Sequence, residues 1–266
     1  MNEFVYNRHN SLVKKWKYFS SSSTYIEYSW IPSLNWSPKT TTLVYFVGYD
    51  GTLPNVPDRD KDFNLLCIVD CSGKQKRGSW YFGKKGAPST LEFVKDFIEQ
   101  LSLARVLDKS QLVFAGKGMG AHAALYFQQI FQSDLSIIHN PTTNLCDSDY
   151  KKRYEEEIFG NIFDDKAQHD FQNLIRFIKH NNKNASVLLT SDVEESSIFY
   201  REQILPLFQL RNVDLISTKQ LMFSSMFRKI DEINRQNAEK EFQIKQLFIK
   251  HQTRDPLISI IRMILI

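Results

Sequence analysis

The chain has 266 residues, 42% hydrophobic and 13% aromatic, which supplies enough apolar surface for a sizeable core and excludes a mainly disordered protein. Its net charge of +4 is spread over 34 basic and 30 acidic residues without a dense basic block, which argues against nucleic acid as a partner. The three cysteines, Cys67, Cys71 and Cys146, form no CxxC pair and match no zinc spacing, so neither a disulfide framework, a metal nor another cofactor is expected, and a reducing cytoplasm is the simplest home.

In chain order, residues 1–23 end in a serine run and read as an arm of weak structural preference. From Thr24 to Trp30, Thr24, Ile26, Tyr28 and Trp30 alternate with their neighbours, the pattern of a half-exposed edge strand. Two nearly continuous apolar runs, 41–47 and 63–69, read as strands buried on both faces. A helix is predicted from Pro88 to about Leu107, with Leu91, Val94, Phe97, Ile98, Leu101 and Ala104 on one stripe. A strand at 111–115 and a helix at 119–131 follow, then a strand at 135–139 closed by Asn140-Pro141.

Residues 147–182 carry helical spacing through Phe171, Leu174, Ile175 and Ile178. Ala185–Thr190 reads as a strand, 198–210 as a helix and 213–216 as a final strand. Alternating strands and helices of this kind imply a mostly parallel sheet with helices on its faces, an α/β fold over residues 24–220. Residues 221–266 form an extension: a long charged helix over 226–252 with a thin apolar seam, suited to pairing with a second copy or a partner, then the apolar segment 257–266. No signal-peptide pattern opens the chain and no apolar run reaches 18 residues, so membrane contact is expected to be peripheral at most.

Chemistry concentrates at Gly116-Lys117-Gly118-Met119-Gly120, where a strand meets a helix. The spacing matches the nucleophile elbow G-x-S-x-G, in which a serine stands at the apex of a strained turn. Here the apex residue is Gly118. An elbow serine also needs an acid and a histidine later in the chain. The acid slot after 185–190 holds Asp192 and Glu194, but the loop after 213–216 holds no histidine. His251 falls within the charged helix and His122 on the elbow helix, which leaves His139 as the one histidine at a strand end near the site. Gly116, Gly118 and Ala121 also fit the dinucleotide fingerprint G-x-G-x-x-G/A, a second reading of the same turn as a nucleotide site.

Taken together, the strand at 41–47, Arg77–Gly83, the elbow with its flanks, His139–Leu145 and Leu188–Glu195 resemble α/β-hydrolase-fold proteins of bacterial surface-polysaccharide loci. The chain is similar to capsular polysaccharide O-acetyltransferases and XcbB/CpsF-type capsule proteins, and more distantly to the carbohydrate acetyltransferase of accessory Sec systems. The resemblance implies an α/β-hydrolase-like three-layer sandwich with a long C-terminal helix. It also implies an oxyanion hole from the backbone amides of Met119 and of the Gly48-Tyr49 loop, with Asp192 or Glu194 as the acid. The family's serine maps to Gly118 and its histidine maps to nothing. The expectation is therefore a catalytically degenerate member that serves capsule biosynthesis by binding polysaccharide or other capsule proteins, in the cytoplasm or against the inner membrane. The alternative is an active O-acetyltransferase or esterase with a non-standard nucleophile, Ser79 or Cys71 together with His139.

Overall fold

The computed structural model describes residues 3–6, 12–19, 25–48, 63–72, 78–83, 89–145, 173–181, 185–191, 193–194, 197–210 and 213–219. Their strands are β1 (Glu3–Tyr6), β2 (Leu12–Phe19), β3 (Tyr25–Ile31), β4 (Thr42–Phe46), β5 (Asn64–Val69), β6 (Leu112–Lys117), β7 (Leu135–His139), β8 (Ala185–Ser191) and β9 (Val213–Lys219). They form one sheet in the order β1-β2-β3-β5-β4-β6-β7-β8-β9. From β5 to β9 every pairing is parallel, whereas β1, β2 and β3 add on antiparallel at one side.

Continuous apolar runs make the inner strands because both of their faces are covered. Val44 and Phe46 of β4, Leu66 and Ile68 of β5, and Leu112 and Phe114 of β6 point into one core. Their neighbours Leu43, Tyr45, Leu65, Cys67, Val113 and Ala115 point into a second core on the other face. The first core is roofed by α1 (Ser89–Leu103), α2 (Met119–Phe131) and α3 (Leu174–Asn181). These helices link β5 to β6, β6 to β7 and β7 to β8. All three connections step the same way along the sheet, so right-handed crossovers place them on one face. The β4 to β5 connection steps the opposite way.

Three stretches differ from expectation. The segment read as an arm contains β1 and β2, so β3 is not an edge strand: β2 covers it through Trp16↔Tyr28 to Phe19↔Tyr25. Residues 198–210 do not form a regular α-helix but a wide turn, Tyr200–Ile204, running into a 3-10 turn, Leu205–Gln209, where Pro206 interrupts helical hydrogen bonding. β9 continues to Lys219, so Ser217 and Thr218, expected in a loop, belong to the strand. The long C-terminal helix, the segment 257–266, His251 and Cys146 lie outside the described residues.

Candidate functional site at the glycine elbow

Neighbouring strands β4 and β6 send their connections in opposite directions along the sheet. Such a switch point leaves a crevice at the carboxyl ends of the strands, where open α/β sheets place their ligands. The glycine turn occupies this crevice. β6 is buried up to Gly116, Lys117 is exposed, and α2 starts at Met119. Between them Gly118 has φ 54° and ψ −113°, a region that side chains enter only at a cost.

The three glycines of the turn are needed for different reasons. A Cβ on Gly120 would lie 2.0 Å from Phe46 O, and one on Gly116 would lie 2.3 Å from the backbone of Gly120. These two let the first turn of α2 press against the ends of β4 and β6. Among the described residues, a Cβ on Gly118 would meet nothing within 4 Å. The apex thus has the elbow's backbone and room for a side chain, and carries none.

Around the apex, Gly118 N donates to His139 O at 2.9 Å and Gly118 O accepts from His122 N at 3.2 Å. No side chain caps α2 and no acid lies in its first turn, so α2 itself supplies no negative charge to its amide end, where Met119 stands next to the apex. Strand register sets Phe46 beside Gly116, Lys117 beside His139, and His139 beside Thr190. The ends of β4, β6, β7 and β8 therefore bring Gly48, the three elbow glycines, Met119 and His139 to one edge of the sheet. Tyr49 and Asp192 lie outside the described residues. Glu194 is exposed on the turn after β8, and its carbonyl accepts from Ser197 N at 3.0 Å.

His139 is buried and held from both sides. Asn140 Nδ2 is 3.1 Å from its Nε2, and Thr190 Oγ1 is 3.0 Å from its Nδ1. An amide nitrogen only donates, so Nε2 accepts and the ring proton sits on Nδ1, which donates to Thr190. Thr190 in turn donates to Ile138 O at 3.2 Å. Asn140, at φ 45°, accepts from Ser191 Oγ at 2.9 Å, which ties the exits of β7 and β8 together. In this arrangement the imidazole links β7 to β8. His122, fully buried, has Nδ1 2.6 Å from Thr142 O and fastens α2 to the loop after β7.

A second feature beside the elbow joins Asp70 to the segment that ends at Gly83. Asp70 is buried, and its carboxylate accepts from the backbone amides of Ser72, Ser79 and Tyr81 and from Ser79 Oγ. It thereby holds Trp80 at φ 53° and Tyr81 at φ 65°, two bulky residues in the left-handed region. The Tyr81 hydroxyl lies 3.0 Å from Val47 O and 2.8 Å from Ile68 O, at the ends of β4 and β5. Burial, then the nearby Asp70 charge, pushes the Tyr81 phenol well above its ordinary value. Trp80 N donates to Met119 Sδ at 3.3 Å, so this turn braces the residue that follows the apex. Ser79 is fully buried, with its hydroxyl donating to Asp70 and accepting from Gly83 N at 2.8 Å, a poor setting for a nucleophile. Cys71 Sγ lies 3.8 Å from Val69 O.

The sheet order and the positive-φ turn between β6 and α2 define an α/β-hydrolase fold. No family model and no curated protein matches the sequence. Among solved structures, the S-formylglutathione hydrolase of Agrobacterium tumefaciens is similar at a TM-score of 0.56 and 11% identity, over 83% of this chain and 88% of that one. The capsule O-acetyltransferase of Neisseria meningitidis serogroup A is similar at 0.54 and 15% identity, over 84% and 94%. The acylaminoacyl peptidase of Pyrococcus horikoshii gives 0.52 and 13% identity, over 86% of this chain and 38% of that one. At such identities the likeness is one of fold. Among the described residues no helix is long and apolar enough to cross a membrane.

Proposed function

We propose that this chain is a catalytically degenerate α/β-hydrolase-fold protein that serves bacterial capsule or surface-polysaccharide biosynthesis as a binding or assembly partner, in the cytoplasm or against the inner membrane. The observation that carries the reading is Gly118: its backbone has the elbow conformation, the described residues around it leave room for a side chain, and the residue itself bears no nucleophile. Acyl transfer through an elbow requires a serine whose proton a histidine removes. At this edge His139 is instead engaged by Thr190 and Asn140. The fold-level likeness to a capsule O-acetyltransferase supports the polysaccharide half of the reading.

Incubation of the purified full chain with a fluorophosphonate probe and with an activated acetyl ester tests it. The expected result is no serine labelling and no turnover above that of the heat-denatured protein. Stoichiometric labelling, or turnover abolished by His139→Ala, would establish an active esterase or acyltransferase and overturn the reading.

A further inference from the structure

The second core has strands on one side and, among the described residues, no helix on the other. Its buried side chains all come from β4–β8 or from Phe63 just before β5, whereas the buried apolar residues of α1, α2 and α3 belong to the first core. The face is nevertheless closed. At its β6–β8 half Val113, Ala115, Leu135, Ile137 and Leu188 are at most 8% exposed. A single chain reaches this burial, so a further segment of the same chain lies over these strands.

Three segments outside the described residues are long enough to do so. Residues 146–172 are flanked by Leu145 and Leu174, both in the first core, and Leu174 N donates to Thr143 O at 2.9 Å. The two ends of that segment therefore meet on the other face of the sheet. A right-handed β4 to β5 connection reaches the second face at β4 and β5. Residues 49–62 of that connection hold Pro54, Pro57 and the charged run Asp58–Asp62, too little apolar surface to cover the strands beyond β4 as well. Residues 220–266 start from the end of β9, the neighbour of β8.

Their sequence fits the uncovered half. In the helix predicted over 226–252, Ile230, Ile233, Ile244 and Phe248 recur at helical spacing on one stripe, with Arg235 and Glu239 on the opposite side. From Ile230 to Phe248 such a stripe runs about 27 Å. The strands below it are of similar length, since β8 with its seven residues extends about 23 Å. β6, β7 and β8 together span two strand spacings, about 10 Å, which is the width of one helix. We infer that residues 220–266 dock on the second face of their own sheet, with this stripe seated over β6, β7 and β8. The segment is then a layer of the fold, not an arm held out for a second copy, whether or not the elbow is catalytic.

Photo-crosslinking of the full chain tests this, with p-benzoylphenylalanine placed at Ile233 or at Ile244 in an equal mixture of 14N- and 15N-labelled protein. The expected products are links within one isotope label to peptides that contain Val113, Ile137 or Leu188. Links of mixed label would assign the segment to a second copy and overturn the inference, as would links confined to α1, α2 or α3, or none. Urea unfolding gives an independent reading. Ile233→Asp and Ile244→Asp should each lower the midpoint by about 1 M at every protein concentration, while Arg235→Asp leaves it in place. Equal midpoints for all three variants and the natural chain would likewise overturn the docking.

Discussion

At the scale of single residues, the three elbow glycines separate what the fold requires from what a reaction would require. Alanine at Gly116 or Gly120 drives a methyl into backbone 2.0–2.3 Å away, which the strand–helix junction can relieve only by moving apart. Each substitution is expected to cost at least about 3 kcal/mol, read as a lowered midpoint in urea unfolding. Alanine or serine at Gly118 meets none of the described residues and is expected to cost only what a side chain at φ 54° costs, about 1–2 kcal/mol. An equal loss at all three positions would show that the apex is also filled. No described residue therefore imposes the glycine at 118 by packing. The glycine was legible in the sequence as a departure from G-x-S-x-G, whereas the absence of a described neighbour within 4 Å of its Cβ position was not, since that depends on where other strands end.

At the scale of elements, the Asp70-held turn accounts for most of what the sequence concealed. The inner strands were readable because burial on both faces makes them continuously apolar. β1 and β2 were not, because Lys14, Lys15 and Lys17 interrupt the alternation of β2 and its pairing is settled by β3. Asp70 has no distinguishing neighbour in sequence, because its partners include backbone amides up to 11 residues away that no composition signal marks. Asp70→Asn keeps the shape but turns an NH2 group toward donors, and is expected to cost roughly 2–4 kcal/mol. Tyr81 gives the turn a pH signature. Its folded pKa lies above the ordinary value of 10.0, so its contribution is complete below that value and is lost as pH rises through the raised one. Stability measured by urea unfolding should thus fall above pH 10 more steeply in the natural protein than in Tyr81→Phe. Parallel curves would separate Tyr81 from this effect.

At the scale of the whole molecule, the fold sets a buried central sheet beside the switch point where Gly118 stands, and thiol chemistry can compare the two directly. Cys67 lies in the middle of β5, paired with Ser29 on one side and Tyr45 on the other, 1% exposed and with burial pushing its thiol up to about 12. Its alkylation requires strands on both sides to separate, so it should proceed only through global unfolding and accelerate with urea as steeply as unfolding itself. A thiol placed by Gly118→Cys meets none of the described residues and stands at the start of α2, where the helix amides favour the thiolate. With Cys71 and Cys146 replaced by serine, iodoacetamide at pH 7 should modify Cys67 far more slowly than the introduced thiol, whose rate should not depend on urea below the transition. If both thiols reacted with the same urea dependence, the crevice would be closed in solution, and Gly118 would mark a site that has been filled as well as disarmed.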